Sequence, residues 1–312
     1  QSHDSSQREF PRTALSFVYT NIRSILPKRD SLSHITDTTD CNFIVLTETW
    51  LNSSISDTEL QCCFPNFVIF RRDRENKRGG GVMMATNNSV QCSIVDVSSP
   101  LEIFFVHCQV SNPPVVIGVC YSPPEADTSF TKHFHDAIYS VTTAFPNAPL
   151  ILFGDFNFPR ITWSNVAITA SKHNAESDFL NSCLTFGLSQ LISKPTRQTE
   201  HSSNILDLLL TSHPDNFSTV SYLSAISDHS VLQTTFQCYL PNPKKIKRTI
   251  TLYDKGNYRA INDELTAFSE SFLSDIFMST VETNWHLFET KLQHLIKVHV
   301  PTVTLTIRST SP

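Results

Sequence analysis

The stretch LILFGDFN, residues 150–157, sets the reading of the whole chain. It opens on a run of apolar residues with no alternation, as in a strand covered on both faces. Gly154 and Asp155 end the run, and an acid at the carboxyl end of such a strand stands where α/β sheets assemble their sites. Further along, VLQTTFQ (residues 231–237) alternates apolar and polar residues, the pattern of a strand wetted on one side. The two patterns together predict a mixed α/β sandwich. Working outward, short runs rich in Val, Ile and Phe predict strands at 14–20, 42–47, 67–70, 82–86, 101–110, 115–121, 149–154, 205–211, 217–223 and 231–237. Helices are expected between them at 28–38, 57–63, 129–144 and 175–186.

Composition narrows the function classes. The 312 residues are 40% hydrophobic and only 17% charged, with 22 Phe, which excludes wholesale disorder. No run of apolar residues is long enough for a transmembrane helix, so no membrane partner is expected. A formal charge of −5 excludes holding nucleic acid by bulk positive charge, but it suits carboxylates that gather a divalent cation. The eight cysteines include no CxxC pair and several lie in apolar runs, which predicts buried thiols rather than zinc or disulfides. The polar start QSHDSSQREFPR lacks a secretory apolar segment, so an intracellular location and a piece of a longer reading frame are expected, and the sequons at Asn52, Asn87 and Asn216 are read as accidental. Glycine is scarce, seven in all, and three of them are Gly79, Gly80 and Gly81 while another precedes Asp155; the backbone must bend or approach something closely there.

After Cys238 the character changes. YLPNPKKIKRT reads as an exposed linker, and residues 257–298 carry apolar residues at helical steps. The expected organisation is a polar tail at 1–12, a catalytic-type domain at 13–240, and a linker with a helical segment at 241–312.

Several polar residues stand at the ends of predicted strands: Asn21, Glu48, Tyr121, Asp155, Asn157, and the triplet Ser227, Asp228 and His229. Asp207 is different, because it lies inside the apolar run ILDLLLT and a buried carboxylate needs a partner. A histidine is the natural one: a carboxylate on one imidazole nitrogen fixes the tautomer and raises the ring's pKa, leaving the other nitrogen for a phosphate. His229 is the candidate. His133 and His135 point to different faces of a helix and His107 lies in a strand, so none is expected to bind metal.

The ordered set TNIRSI, LTETWL, RRDRENKRGGGV, VCYSPP, ILFGDFN, KPTR, NILDLLLT and SDH, over residues 13–238, resembles the endonuclease/exonuclease/phosphatase superfamily. In detail it is similar to the apurinic-type endonuclease domain of non-LTR (LINE-type) retrotransposons. The resemblance implies a four-layer α/β sandwich, with two mixed β-sheets packed face to face and flanked by helices. It implies Mg²⁺, with Mn²⁺ as a substitute, held by Glu48, Asn21 and Asp228, an oxygen donor set that suits hard cations. Asp155 matches the acid that orients or deprotonates the attacking water, Asn157 the amide that holds it, and Tyr121 the phenol near the scissile phosphate; Asp207 and His229 match the carboxylate–imidazole pair.

The expected activity is nicking of double-stranded DNA to leave 3′-hydroxyl and 5′-phosphate ends, as in target-primed retrotransposition. Arg71 and Arg72 are read as part of an exposed basic loop on backbone phosphates, and the resemblance implies that Thr196, Arg197 and Asn204 are contacts from a hairpin beside the site. Arg23, where some relatives carry a second acid, and Ser227 complete the phosphate-binding set. Implied partners are element RNA and the reverse transcriptase region of the full-length product, with a monomer acting in the nucleus. Two alternatives stay open: a phosphomonoesterase or phospholipid phosphodiesterase of the same fold, and a catalytically inactive retroelement-derived DNA-binding fragment.

Overall fold

The computed structural model describes residues 12–75, 77–163, 167–168, 175–200, 202–239 and 245–308. They divide into two compact units, separated between residues 242 and 243. The first unit is built on two six-stranded mixed sheets. One runs β15 (Ser221–Leu223), β16 (Val231–Tyr239), β1 (Arg12–Asn21), β2 (Phe43–Thr47), β4 (Val82–Asn87) and β3 (Phe67–Arg72). The other runs β11 (Ser189–Gln190), β14 (Asp207–Thr211), β8 (Leu150–Asp155), β7 (Val115–Tyr121), β6 (Glu102–Cys108) and β5 (Cys92–Val95). Each sheet contains one parallel pair, β1 with β2 and β7 with β8, so those four strands end at the carboxyl edge that carries the polar residues.

The period-2 alternation of strands assigns each residue to a layer. Odd-numbered Phe17, Tyr19, Phe43, Val45, Ile117, Val119, Ile151, Phe153 and Leu209 meet in one core between the sheets. There Phe17 stacks on Phe43 at 4.8 Å and tilts against Phe153 at 5.4 Å. Even-numbered Val116, Leu150, Leu152, Leu208 and Leu210 face outward onto α3 (Thr128–Ala144) and α4 (Ala175–Thr185), through Phe130, Phe134, Ile138, Val141 and Phe179. On the opposite side Val18, Ile44, Leu46 and Met83 pack on α1 (Arg29–Thr38) and α2 (Asp57–Leu60) through Leu32, Ile35 and Leu60. Both faces of the central strands are therefore buried, which is why LILFGD carries no alternation. Each buried Phe or Leu contributes roughly 1.5–3 kcal/mol relative to exposure. Asp127 caps α3 by accepting from the Ser129 and Phe130 amides, and Ser56 with Glu59 forms a capping box on α2.

The four-layer sandwich predicted above is present, with local differences. The strand expected at 217–223 is reduced to 221–223, because Pro214–Asn216 turns as a 3₁₀ helix. An edge strand, β5, pairs with β6 where none was expected. Two short hairpins flank the second sheet: β9 (Ile161–Thr162) with β10 (Ala167–Ile168), and β12 (Arg197–Gln198) with β13 (Ser203–Asn204). No cysteine forms a disulfide, and most are buried. His107 stacks on Phe145 at 4.6 Å, and His135 meets Ser182 at 3.2 Å.

The second unit corrects the reading of the tail. Part of the expected linker, residues 245–251, is strand β17 (Lys245–Thr251), paired antiparallel along its length with β18 (Thr302–Arg308). Both sequences, KIKRTIT and TVTLTIR, alternate, and Lys-rich edge strands are common because charge blunts further pairing. Residues 240–244 lie outside the described set. The expected helices are α5 (Tyr258–Asp275) and α6 (Val281–His299), joined by a small core of Ile261, Leu295 and Val300 and by Glu264, which accepts from Lys291 and His299. Among the described residues no helix is long and apolar enough to cross a membrane.

Candidate active site

Strand periodicity gathers the site. Tyr121, Asp155 and Asp207 are direct neighbours across β7, β8 and β14, and all continue the inward-facing odd series of their strands. From the opposing sheet Tyr19 and Asn21 continue the inward series of β1, so five polar groups close the inter-sheet space where its apolar filling stops. Gly154 makes the close approach possible: a Cβ there would lie 2.3 Å from the Cys120 carbonyl oxygen.

Asp207 is fully buried and fully partnered. His229 Nδ1 donates to its Oδ2 at 2.7 Å and Tyr19 donates to its Oδ1 at 2.8 Å. Its backbone amide donates to Thr196 Oγ1 at 3.0 Å. Burial pulls the His229 imidazole down, but the hydrogen bond and charge of Asp207, with Asp155 and Asp228 behind it, outweigh this and leave the ring above its ordinary value. Ser227 fixes the loop that carries the ring: its hydroxyl donates to the Asn21 carbonyl at 2.6 Å and accepts the His229 amide at 3.0 Å. Tyr19 was not anticipated. It sits two residues before Asn21 on the same face, a spacing that could have revealed it.

Asp155 accepts from Asn21 Nδ2 at 2.8 Å and from the Asn157 amide at 3.2 Å. The Asn157 side chain is in turn anchored on the Ser122 carbonyl at 2.8 Å. Burial pushes the Asp155 carboxyl up to about 7, Asp207 adds to the rise, and His229 and Asn21 oppose it. Glu48, half-buried just past β2, accepts from Tyr121 Oη at 2.8 Å and from Trp50 Nε1 at 3.0 Å. Burial and the Glu48 charge keep the Tyr121 phenol protonated, well above its ordinary range. The glycine triplet holds this loop, since Thr49 and Trp50 amides donate to the Gly81 and Gly80 carbonyls. Glu48, Trp50, Asn157, Arg23 and Ser24 all adopt positive φ, a conformation that costs about 1–3 kcal/mol each in non-glycine residues and concentrates at functional sites.

The donor chemistry fits a hard divalent cation. Ligand atoms of Asp155, Asp207 and His229 lie within 4.8 Å of one another. Glu48 raises the Asp155 carboxyl further, so the anionic groups crowd one another, with His229 opposing the rise. Glu48, Asp155 and the Asn21 amide oxygen offer oxygen ligands only.

Other expected site residues are placed differently. Asp228 stands apart from the acid cluster: its Oδ2 accepts from Arg23 at 2.7 Å and Arg197 at 3.0 Å, so it serves two arginines. Arg71 and Arg72 are not an exposed loop, because β3 runs two residues further than its apolar run. Arg71 pairs with Asp57 at 2.9 Å and Asp73 at 3.6 Å and donates to the Ile55 carbonyl; Arg72 donates to the Ile103 and Ser99 carbonyls. The exposed basic residues of this segment are Lys77 and Arg78, the latter 5.4 Å from the Trp50 ring centroid. Thr196 is buried, with its hydroxyl accepting the Leu206 and Asp207 amides, so it anchors the β12–β13 hairpin instead of facing a ligand. Asn204 is half-buried and lines a cavity of about 430 Å³ with Trp163, Ile192 and Pro195.

Comparisons with known proteins agree with this geometry. The endonuclease–reverse transcriptase family model matches residues 115–233. A search of curated proteins finds no match. Among solved structures, the endonuclease domain of TRAS1, a telomere-specific non-LTR retrotransposon, superposes with a TM-score of 0.57 at 13% identity, covering 71% of this chain and 98% of that one. The AP endonuclease LMAP of Leishmania major gives 0.58 at 13% identity, covering 73% and 88%. An AP endonuclease of Archaeoglobus fulgidus gives 0.55 at 12%, covering 71% and 99%. The first unit thus has the fold of the endonuclease/exonuclease/phosphatase superfamily, and over residues 115–233 the chain carries the sequence pattern of its endonuclease–reverse transcriptase family.

Proposed function

We propose that the first unit is a divalent-metal-dependent phosphodiesterase that nicks double-stranded DNA and leaves 3′-hydroxyl and 5′-phosphate ends. The observation that carries the reading is the His229–Asp207 pair, held at 2.7 Å and set against Asp155 in one buried cluster. A phosphodiester already carries negative charge, and attack by water builds more on its oxygens and on the departing 3′ oxygen. Held by Glu48 and Asn21 beside Asp155, Mg²⁺ or Mn²⁺ would supply positive charge at the phosphoryl oxygens.

The protein's own groups do the rest. Asp155, with a carboxyl near neutral pH, takes the proton of the attacking water, and Asn157, pinned on Ser122, keeps that water in line. His229 presents its second nitrogen to a phosphate oxygen, and Asp207 holds the ring in its charged form. Tyr121 stays a neutral phenol that orients Glu48. In this reading the chain acts on chromosomal DNA in the nucleus, and the 3′-hydroxyl primes reverse transcription of element RNA by a polymerase region of a longer product.

The test is nicking of supercoiled plasmid by the native chain, Asp155→Ala and His229→Ala, with Mg²⁺ and with EDTA. The native chain should nick only with Mg²⁺, and each variant should lose about 10²- to 10⁴-fold in rate, the cost of a positioned acid or base. Equal nicking by native chain and variants would overturn the reading. Release of phosphate from inositol phosphates without nicking would replace it with a phosphatase.

A further inference from the structure

Arg23 and Arg197 lie far apart in sequence, yet both guanidinium groups bind one atom, Asp228 Oδ2. One carboxylate thus holds two cations side by side, with positive charge left over. Lys28 adds to it, its ammonium donating to the Ile22 and Arg23 carbonyls. The cluster adjoins the site described above. Asp228 precedes His229, the Arg23 amide donates to Asn21 Oδ1 at 3.2 Å, and Arg197 forms a backbone bridge with His229.

Folding energy does not account for this arrangement. The side chains of Arg23 and Arg197 are 43% and 36% exposed, and exposed ion pairs add about 0–1 kcal/mol. Arg23 also occupies a costly backbone conformation, with φ at 46°. In a chain of net charge −5, with buried carboxylates next door, a spot of surplus positive charge suits an anion. A guanidinium carries five N–H donors in a planar fork that matches phosphate oxygens. The bonds to Asp228 use Nη1 of Arg23 and Nε of Arg197, leaving the remaining donors of each fork.

We propose that Arg23 and Arg197 form a seat for a backbone phosphate of the DNA strand, next to the phosphodiester that is cleaved, and that Asp228 is the residue that positions them instead of a ligand of the cation. The substrate class rests on the nuclease reading, so the test separates binding from cleavage. A fluorescent duplex is titrated with the full chain in EDTA between roughly 50 and 200 mM salt, using the native protein, Arg23→Ala, Arg197→Ala, the double variant and Asp228→Asn. Thermal melting first confirms that each variant folds.

Loss of one phosphate contact lowers the slope of log affinity against log salt by about 0.9. Each single arginine variant should weaken binding by about three- to tenfold, and the double variant should lower the slope by about one phosphate instead of two, because both side chains serve the same group. For Asp228→Asn, Mn²⁺ affinity by calorimetry should stay within about twofold of native, while single-turnover nicking slows as the forks lose their common anchor. An unchanged slope in the double variant, or no binding by the native chain, overturns the seat. A loss of Mn²⁺ affinity of about tenfold or more in Asp228→Asn returns that residue to the cation. Binding as expected with no nicking by the native chain would sink the nuclease reading and leave the phosphate seat standing.

Discussion

Replacing Asp155 by Asn should make the metal-free protein more stable at neutral and alkaline pH, although the same change removes the proposed base. The native carboxyl is raised from 3.8 to about 7 by burial and by Asp207. A group raised in the folded state holds its proton more tightly there than in the unfolded chain. Its contribution is therefore most favourable below about pH 4 and is lost as pH climbs to about 7. At 1.36 kcal/mol per pH unit, the full penalty is at most about 4 kcal/mol. Asparagine abolishes this penalty but has one acceptor oxygen where aspartate has two. One of the bonds from Asn21 Nδ2 and the Asn157 amide is lost, at about 1–3 kcal/mol. The net gain is then about 1–3 kcal/mol above neutrality, or roughly 3–10 °C in melting temperature for a unit of this size. Thermal melts in EDTA at about pH 5 and about pH 8 measure it, and the gain should be larger at the higher pH. Added Mg²⁺ should stabilise the native protein more than the variant. A variant less stable than native at the higher pH, or a gain independent of pH, would refute the picture of crowded buried carboxylates.

Three further outcomes follow from particular contacts. Trp50→Phe removes the N–H that holds Glu48 Oε2 and should weaken Mn²⁺ binding by about tenfold in calorimetry, with the fold intact by circular dichroism. Gly154→Ala drives a methyl toward the Cys120 carbonyl, a backbone atom that cannot swing away, and should cost about 1–3 kcal/mol in urea denaturation. Arg71→Ala should destabilise the first unit by about 1–3 kcal/mol, by unpairing Asp73 and the Ile55 carbonyl, and should leave the salt dependence of DNA binding unchanged.

The architecture was legible because strand periodicity and burial leave the same mark. Unbroken apolar runs such as LILFGD mark strands buried on both faces, and they end at the acids that close the inter-sheet space. Asp207 was legible for a related reason, since a carboxylate in an apolar strand implied a buried partner, and His229 lies at hydrogen-bond distance from it. What remained hidden depended on pairing that no local pattern reveals. Arg71 and Arg72 read as a loop until Asp57 and Asp73 neutralise Arg71 and the Ile103 and Ser99 carbonyls receive Arg72. Tyr19 was passed over inside an apolar run because its ring is core, while its hydroxyl alone reaches Asp207. Thr196 read as a surface contact because its burial comes from a hairpin that folds back on β14. KIKRT read as a linker because its partner, β18, lies some fifty residues further on.

The first strand of the unit, β1, lies between β2 and β16, so the earliest segment waits for nearly the last before its sheet is whole. During synthesis the ribosome must release residues up to 239 before β1 finds that neighbour and before His229 can meet Asp207. A nascent chain halted before residue 229 carries Glu48 and Asp155 without their imidazole, so the proposed site is completed late and in one step, when translation has passed nearly the whole of this unit.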